Sequence, residues 1–275
     1  MILINGEEKT YIDFSDRGLQ YGDGLFETIE VKNTHSVFLN LHLDRLALGC
    51  QKLLIPFTHF SVLKEEIETV ISDQEHAVLK VLITRGSGGR GYQQPETIKP
   101  TRILALYPFP EFPAFFKTQG VKVRLCHSRL GLNPNLAGVK HLNRIEQVMA
   151  RSEWVTSDYQ EGLMLDINDN VIEGTMSNFF LIKDNCLYTP KLDQCGIQGI
   201  IRKIIFQAAT DLQIKIVEAR LKTQQCYEAD ELFLTNSIIG IWPVKQLQHQ
   251  ACGIGPITLR IMRWFEQYKD SDLCH

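Results

Sequence analysis

The spacing of hydrophobic residues in the first 107 positions predicts a sheet covered by two helices. Short β-branched and apolar runs separated by turn residues are typical of strands, whereas apolar residues repeated every three or four positions are typical of helices that pack one face on a core. The pattern predicts strands at 1–5, 25–31, 78–84 and 103–107, a helix over 43–54 with Asn40 as its N-cap, and a helix over 60–71 behind Thr58. This half of the chain is therefore α+β.

A cluster of prolines divides the chain. Pro108, Pro110 and Pro113 lie close together, and each proline fixes φ and removes a backbone donor, so the segment is poor strand or helix material. We predict a first domain at 1–107, a Pro-rich linker at 108–118 and a second domain at 119–275. The second domain is predicted to contain strands at 121–126, 162–166, 178–182, 186–188, 214–218 and 231–234, and helices at 143–154, 199–212 and 257–268.

Composition and charge favour a globular protein that acts on a small molecule. The chain has 275 residues, enough for about two domains. Its 29 Lys and Arg against 32 Asp and Glu leave a net charge of −3, so no basic field indicates nucleic acid or an anionic membrane. The expected partner is a small-molecule substrate.

The cysteines, the first residues and the lengths of the apolar runs favour a protein of the cytoplasm. Seven cysteines form an odd set without a C-x-x-C pair, which argues against a disulfide framework or a thiolate metal site. The start of the chain turns acidic after four residues and no apolar run reaches membrane-spanning length. We therefore expect a soluble protein of a reducing cytoplasm, with no metal. The motifs H-E-x-x-H and G-x-S-x-G are absent, so zinc hydrolysis and a serine triad lack their minimum parts.

One lysine stands out by its surroundings. Lys140 follows the small and apolar run Leu136-Ala-Gly-Val and precedes a predicted helix. Desolvation at such a place lowers the pKa of an amine and exposes a neutral nucleophile that attacks aldehydes. A solvated lysine at a helix start would have the same spacing, and the spacing alone favours that interpretation.

Two segments of the second half offer partners for a phosphorylated cofactor. Glu173 and Asn178 flank a short run of small residues before an apolar strand, where a carboxylate could pair with a protonated ring nitrogen. Gly199 opens a helix whose N-terminus presents N–H groups to a phosphate. Arg45 on the first predicted helix could reach a phosphate, and its neighbour His42 is equally placed. A charged hairpin turn, an ordinary helix entry and a solvated helix face are the alternatives.

The densest glycine segment runs from Arg85 to Tyr92, RGSGGRGY, directly after a predicted strand. Flexible backbone with guanidinium groups suits an anionic, carboxylate-bearing substrate. A surface loop without a ligand would look the same.

Taken together, these segments resemble the pyridoxal-phosphate enzymes of the branched-chain and D-amino-acid aminotransferase fold, known as class IV, over essentially the whole chain. The strongest pieces are SDRGLQYGDGLFET at 15–28, LKVLITRGSGGRGY at 79–92, NPNLAGVKHLNR at 133–144 and YTPKLDQ at 188–194. The first is shared with the aminotransferases, whereas the second and third are similar to the lyase branch of the family. The resemblance implies a two-domain fold, with a small N-terminal α/β sandwich and a larger C-terminal domain with a mixed, barrel-like sheet, and it implies a homodimer.

The resemblance also implies roles toward pyridoxal 5′-phosphate. Lys140 would bind the cofactor covalently and Glu173 would keep a proton on its pyridine nitrogen. Thr28 matches a threonine near the reacting carbon. The remaining cofactor-binding residues implied in this way are Arg45, Asn178, Gly199, Ile200, Ile201 and Asn236.

Three residues complete the implied site. Ile201 stands where many aminotransferases have a threonine, so only its backbone N–H serves the phosphate. Arg90 and Tyr92 are the substrate-side candidates, on the lyase-like form of their motif.

The implied reaction is the conversion of 4-amino-4-deoxychorismate to 4-aminobenzoate and pyruvate, a step of folate biosynthesis. A D-amino-acid or branched-chain aminotransferase would use the same lysine, so substrate-side residues decide between the two. A non-catalytic binding protein is disfavoured because Lys140, Glu173 and Arg45 are all present.

Overall fold

A computed structural model describes residues 1–156 and 158–273 of the chain. Its contacts divide the chain into two compact units. Unit 1 comprises Met1–Pro110, Val139–Asn143 and the last few residues from Ser271, and unit 2 comprises Glu111–Gly138 and Arg144–Asp270. Cys274, one of the seven predicted thiols, lies outside the described residues.

Unit 1 is built on a six-stranded antiparallel sheet in the order β2-β1-β6-β5-β3-β4. Its four predicted strands are present, the first slightly shorter than predicted and the other three slightly longer. The elements are β1 (Ile2–Ile4), β2 (Glu7–Glu8), α1 (Arg17–Tyr21), β3 (Gly24–Lys32), β4 (His35–Ser36), α2 (Leu39–Leu53), α3 (Phe60–Ile71), β5 (His76–Thr84) and β6 (Thr101–Pro108).

The core of unit 1 lies between this sheet and the two predicted helices. Helices α2 and α3 bury Leu46, Leu63 and Ile67 against alternate residues of β3 and β5. The prediction of Asn40 as N-cap is wrong, because α2 begins one residue before it and its N-cap is Phe38. Phe38 is 3 % exposed with φ of 56°, so burial of its ring and not a polar cap sets the start of the helix.

The segment that carries Lys140 belongs to unit 1. It lies beside the beginning of β3: the Phe26 N–H donates to the Lys140 carbonyl over 3.1 Å, and the Leu142 N–H donates to the Gly24 carbonyl over 2.9 Å. The Val139 side chain joins the hydrophobic core of the unit. Backbone pairing therefore gives the lysine a fixed place although it is far from β3 in sequence.

Unit 2 is built on a nine-stranded mixed sheet in the order β12-β11-β10-β13-β14-β7-β8-β9, with β15 paired to β14. The ladders of β7 with β8, β7 with β14 and β11 with β12 are parallel. The elements are α4 (Phe115–Gln119), β7 (Val121–Leu130), α5 (Ile145–Arg151), β8 (Glu161–Asp166), β9 (Val171–Gly174), β10 (Asn178–Lys183), β11 (Cys186–Pro190), α6 (Ile200–Asp211), β12 (Lys215–Ala219), α7 (Thr223–Tyr227), β13 (Glu231–Asn236), β14 (Gly240–Leu247), β15 (Gln250–Ala251) and α8 (Pro256–Asp272).

The predicted linker is partly regular. Strand β6 extends to Pro108 and α4 forms at Phe115–Gln119, so irregular backbone is confined to 109–114. Aromatic packing explains the short helix, because the Phe116 ring meets the Trp242 ring edge to face, with 5.2 Å between their centroids.

In the described part of the chain, helices are all too short or too polar to cross a bilayer.

Candidate active site

Lys140 lies over an aromatic ring on one face of β3. Its Nζ atom is 4.1 Å from the centroid of the Phe26 ring. Phe26 and Thr28 are two residues apart on β3 and therefore share a face of the sheet. Lys80 on β5 is directly opposite Thr28, and its Nζ atom is 5.7 Å from the same Phe26 ring. The structure thus brings Lys140 and Thr28 to one surface, and it adds Phe26 and Lys80, which the sequence analysis missed.

The opposite face of β3 carries a buried carboxylate. Glu27 stands between Leu25 and Ile29 on the side that α2 covers, and it is 0 % exposed. Arg45 forms a bidentate pair with it, in which Nε donates to Oε1 over 2.6 Å and Nη2 donates to Oε2. Arg45 is therefore not on the wet face of its helix: its position is fixed by an ion pair inside unit 1.

His42 completes this cluster. Its Nδ1 donates to Glu27 Oε2 over 2.6 Å, and Nε2 has no hydrogen-bond partner among the described residues. Burial lowers the pKa of His42, with Glu27 opposing and the positive charges of Arg45 and Lys140 adding to the effect. The imidazole is therefore neutral near pH 7, with its proton on Nδ1.

The pKa of Glu27 shows which effect dominates in the cluster. Burial by itself raises the pKa of a carboxyl group, but the Arg45 guanidinium and the hydrogen bond from His42 outweigh burial and lower the pKa of Glu27 to about 2. Glu27 is thus ionised throughout the physiological range, and its charge holds Arg45.

Glu173 lies in unit 2, on β9, and is 3 % exposed. Its Oε2 accepts a hydrogen bond of 2.7 Å from the Ile197 N–H, and its Oε1 accepts one of 3.4 Å from Gln147 Nε2. A backbone N–H thus fixes one oxygen of the carboxylate. This orientation suits a group that must present a negative charge to a protonated ring nitrogen.

The beginning of α6 is shaped by Asn178. Asn178 Nδ2 donates to the Ile197 carbonyl over 2.8 Å, so Glu173 and Asn178 hold the two sides of the same peptide segment. A Cβ atom on Gly199 would lie only 2.0 Å from Asn178 Oδ1. Gly199 is needed here because the asparagine amide occupies the space that a side chain would take.

The N-terminus of α6 has the properties of an anion site. Gly199 is the N-cap and brings no side-chain acceptor, so the N–H groups of Ile200 and Ile201 at the positive end of the helix dipole point beyond the helix. Thr235 is paired directly with Asn178, and its buried Oγ1 atom has no hydrogen-bond partner within the described residues. A hydroxyl without a partner beside a helix N-terminus fits a phosphate group.

Asn236 follows Thr235 and is used locally. Its Nδ2 donates to the Met176 carbonyl over 2.9 Å, and its Oδ1 accepts from the N–H groups of Ile238 and Ile239. The residue thus ties the loop after Glu173 to the end of β13. Its predicted contact with phosphate stays a prediction.

The substrate-side candidates lie on an exposed loop of unit 1. Arg90 is exposed and Tyr92 is 90 % exposed. The Tyr92 ring leans on the Tyr21 ring, with 5.7 Å between the centroids. Their contact with substrate stays a prediction.

The chain is similar in sequence to known proteins. A sequence model described as "Amino-transferase class IV" matches residues 24–247. A curated aminodeoxychorismate lyase from Vibrio harveyi is 33% identical over 245 residues, which are 89% of this chain and 90% of the relative. A putative branched-chain-amino-acid aminotransferase from Methanocaldococcus jannaschii is 30% identical over 279 residues, covering 98% of this chain and 95% of the relative.

A solved structure gives the same picture of the fold. The crystal structure of 4-amino-4-deoxychorismate lyase from Pseudomonas aeruginosa superposes with a TM-score of 0.94 at 38% identity, covering 97% of this chain and 98% of that one. The predicted α+β fold of class IV is confirmed, and it consists of an antiparallel sheet and a second, mixed sheet. Both the resemblance stated above and its cofactor, pyridoxal 5′-phosphate, are confirmed by the family match. The chain belongs to the amino-transferase class IV family of pyridoxal-phosphate-dependent enzymes.

Proposed function

We propose that this chain is a lyase that converts 4-amino-4-deoxychorismate to 4-aminobenzoate and pyruvate, a reaction that supplies folate biosynthesis. The observation that carries the proposal is the similarity to proteins named as this lyase, at 33% identity in sequence and 38% in the superposed structure, with nearly complete coverage.

The residues of the chain fit pyridoxal 5′-phosphate. In unit 2, the uncapped start of α6 and the Thr235 hydroxyl without a partner suit the phosphate, and the oriented Glu173 carboxylate suits the pyridine nitrogen. In unit 1, the Lys140 amine would bind the aldehyde carbon of the cofactor. Arg45 would add a positive charge for the phosphate while Glu27 keeps its guanidinium oriented.

When bound, the cofactor withdraws electrons from the carbon that bears the substrate amine, which acidifies the hydrogen on that carbon. The Lys140 amine takes the proton from C4 of the substrate. The C3–O bond then breaks, the ring becomes aromatic, and the enolpyruvyl group leaves. Lys140, now protonated, returns a proton to the methylene carbon of that group, which gives pyruvate. The Glu173 carboxylate would keep the pyridine nitrogen of the cofactor protonated throughout.

Thr28 and the loop residues are proposed to act on the substrate side. Thr28 shares the surface of Lys140 on β3, so its hydroxyl is placed to orient a group near the reacting carbon. Arg90 and Tyr92 are proposed to bind the anionic, ring-bearing substrate, because a guanidinium pairs with carboxylate and a phenol ring packs on a flat ring.

An aminotransferase acting on D- or branched-chain amino acids is the second candidate. It is supported by the relative from Methanocaldococcus jannaschii at 30% identity. That reaction needs a keto acid to regenerate the cofactor, whereas the lyase reaction does not, and this difference separates the two experimentally.

The deciding experiment supplies the reconstituted protein with 4-amino-4-deoxychorismate and no keto acid, and follows 4-aminobenzoate and pyruvate by chromatography. Equal amounts of both products are expected. Lys140→Ala should lower turnover by at least about 10³-fold, because a positioned proton-transfer group contributes on that order. Lys183→Ala is the control, since this lysine pairs with Asp230 at an exposed site. If no 4-aminobenzoate forms and a parallel reaction with an amino acid and a keto acid shows amino-group transfer, the aminotransferase is favoured. Full turnover by Lys140→Ala would contradict the proposed role of the lysine.

We further propose a cytoplasmic homodimer. The free thiols of Cys50, Cys126 and their described counterparts fit a reducing compartment. Helix α5 leaves Ile145, Val148 and Met149 between 57% and 67% exposed on one face, which suits a contact between subunits. A molar mass in solution of twice the 31.5 kDa chain is expected.

A further inference from the structure

The glycine-rich loop between β5 and β6 has a fixed backbone. Gly86, Gly88, Gly89 and Gly91 all have positive φ, between 57° and 108°. A Cβ atom on Gly86 would lie 1.8 Å from the Lys99 carbonyl oxygen, and one on Gly89 would lie 2.4 Å from the Gln93 carbonyl oxygen. The glycines therefore permit one close-packed path of the chain and do not make the loop flexible.

A buried guanidinium occupies the inside of this loop. The Arg17 side chain is 5% exposed, and its Nη1 atom donates to the carbonyl oxygens of Gly91 over 3.0 Å, Gln93 over 3.3 Å and Gly88 over 3.5 Å. Its Nε atom donates to Asp23 Oδ2 over 3.0 Å. Three carbonyl groups of the loop thus turn inward toward one positive charge.

The charges around Asp23 explain why these carbonyl groups are needed. Arg85 also binds Asp23, through Nε over 2.8 Å and Nη2 over 3.0 Å. Two guanidinium groups therefore share one carboxylate, and carbonyl oxygens stabilise the second positive charge. If Arg17 is replaced, Asp23 keeps its ion pair with Arg85. The replacement therefore removes hydrogen bonds to the loop and leaves the core of the unit intact.

Arg17 also supports the outer side of the loop. Its guanidinium lies 4.9 Å from the centroid of the Tyr21 ring, and the Tyr21 ring contacts the Tyr92 ring. With the carbonyl groups directed inward, Arg90 and Tyr92 are exposed on the outside. Arg17 thus contacts both the backbone of the segment that carries Arg90 and Tyr92 and the Tyr21 ring, against which the Tyr92 ring packs.

We propose that Arg17 is a positioning residue that holds the loop at 86–93 from inside and thereby presents Arg90 and Tyr92 to the anionic substrate in a fixed geometry. The inference rests on the proposed function for the identity of the substrate. Arg17 itself touches neither substrate nor cofactor. Its effect is to remove the entropy that a free glycine loop would lose on binding.

The test compares Arg17→Met and Arg17→Lys with Arg102→Met in the protein loaded with cofactor. Methionine keeps the length of the side chain without its donors, and lysine keeps the charge without the planar set of donors. Arg102 is the matched control, since it is a partly buried arginine of the same unit whose guanidinium pairs with Glu66. The first readout is amide hydrogen exchange over 86–93 together with the rate of tryptic cleavage after Arg90.

Arg17→Met is expected to raise the rates of amide exchange and tryptic cleavage by about tenfold or more relative to the wild type and to Arg102→Met. In the wild type the loop must lose its hydrogen bonds to the guanidinium in order to open, and in Arg17→Met this cost is absent. The second readout is kinetic: KM for 4-amino-4-deoxychorismate should rise about tenfold while kcat changes by less than about threefold and the affinity for pyridoxal phosphate stays the same. Arg17→Lys should fall between the wild type and Arg17→Met in both readouts.

The outcomes separate this inference from the proposed function. Exchange and cleavage in Arg17→Met equal to those in Arg102→Met would overturn the positioning role. A loosened loop with an unchanged KM would overturn its link to substrate. A wild-type protein that forms no 4-aminobenzoate would refute the proposed function and the kinetic part of the inference, whereas the exchange measurement decides independently whether Arg17 orders the loop.

Discussion

The two units each bury a carboxylate among their candidate site residues, and they hold it with different sets of hydrogen-bond donors. Glu27 in unit 1 is held by side chains, a guanidinium and an imidazole, in a charged cluster. Glu173 in unit 2 accepts hydrogen bonds from a backbone N–H and a neutral amide, and the Arg144 guanidinium also interacts with it electrostatically. Hydrogen bonds from side chains alone hold the first carboxylate, whereas the second also accepts one from the main chain. We therefore expect unit 1 to respond to charge and pH, and unit 2 to respond to changes in side-chain volume.

The largest expected effect on the unfolding free energy comes from neutralising the buried carboxylate of unit 1, compared with the same change in unit 2. Glu27→Gln leaves the Arg45 guanidinium, only 15% exposed, without its counterion, and breaking a buried pair in this way costs about 3 to 5 kcal/mol of unfolding free energy. Glu173→Gln keeps an acceptor for the Ile197 N–H, and Glu146 remains as a second carboxylate near Arg144, so this change should cost less, about 1 kcal/mol. Urea unfolding of both variants without cofactor measures the difference.

The double variant Glu27→Gln/Arg45→Met sharpens this result. It removes both members of the pair, so its unfolding free energy should lie closer to that of the wild type than the sum of the two single losses predicts. Equal losses for Glu27→Gln and Glu173→Gln would mean that the contrast between the two carboxylates is wrong.

The second effect is the pH dependence of unit 1. Because the pKa of Glu27 is lowered from 4.5 to about 2 by folding, its contribution is fully present above pH 4.5 and disappears as the pH falls toward 2. A shift of this size corresponds to about 3 kcal/mol. The pKa of His42 is also lowered, so its contribution is present above pH 6.5 and declines as the pH falls. Both groups weaken the fold in acid.

Unfolding free energies of the protein without cofactor, measured between pH 7 and pH 2, test this expectation. The decline below pH 4.5 should be smaller in Glu27→Gln by about the same 3 kcal/mol, since glutamine does not titrate. A decline of equal size in the variant and the wild type would place the acid sensitivity elsewhere.

The same contrast explains what could be learned from the sequence. Spacing of three and four residues was enough for α2 and α3, because each helix buries one regular face. Motif resemblance singled out Lys140 and Glu173, because their chemistry restricts the residue type. Glu27 was missed, although it is the one charged residue among the inward positions of β3, where Leu25 and Ile29 are apolar. A polar residue in such a row is a signal that could have found it.

Other elements were missed because only distant contacts create them. Strand β9 has four residues and pairs with β8 and with Leu221. Strand β14 contains Pro243, which lacks the donor of a regular ladder, yet β14 lies between β13 and β7 in the interior of the sheet. The inner hydrogen bonds of Arg17 likewise join residues more than 70 positions apart. Local pattern carries no information on such pairings.

The smallest expected effect tests the dependence of unit 2 on volume. Gly199→Ala places a methyl group 2.0 Å from Asn178 Oδ1, so Asn178 must move and release the Ile197 carbonyl. Overpacking of this kind costs about 1 to 3 kcal/mol. The start of α6 would shift with it, and we expect the affinity for pyridoxal phosphate to fall about tenfold, which corresponds to 1.4 kcal/mol.

Gly253→Ala is the matched control, because the nearest atom to its new methyl group is the Asp230 carbonyl oxygen at 3.6 Å, an ordinary contact. Titration of both variants with pyridoxal phosphate, followed by absorbance, gives the two affinities. A further comparison at pH 5 and pH 7 tests the nature of the effect: a loss caused by volume should be the same at both values. If the loss in Gly199→Ala depended strongly on pH, charge would govern unit 2 as it governs unit 1, and the distinction between the two carboxylates would fail at its second half.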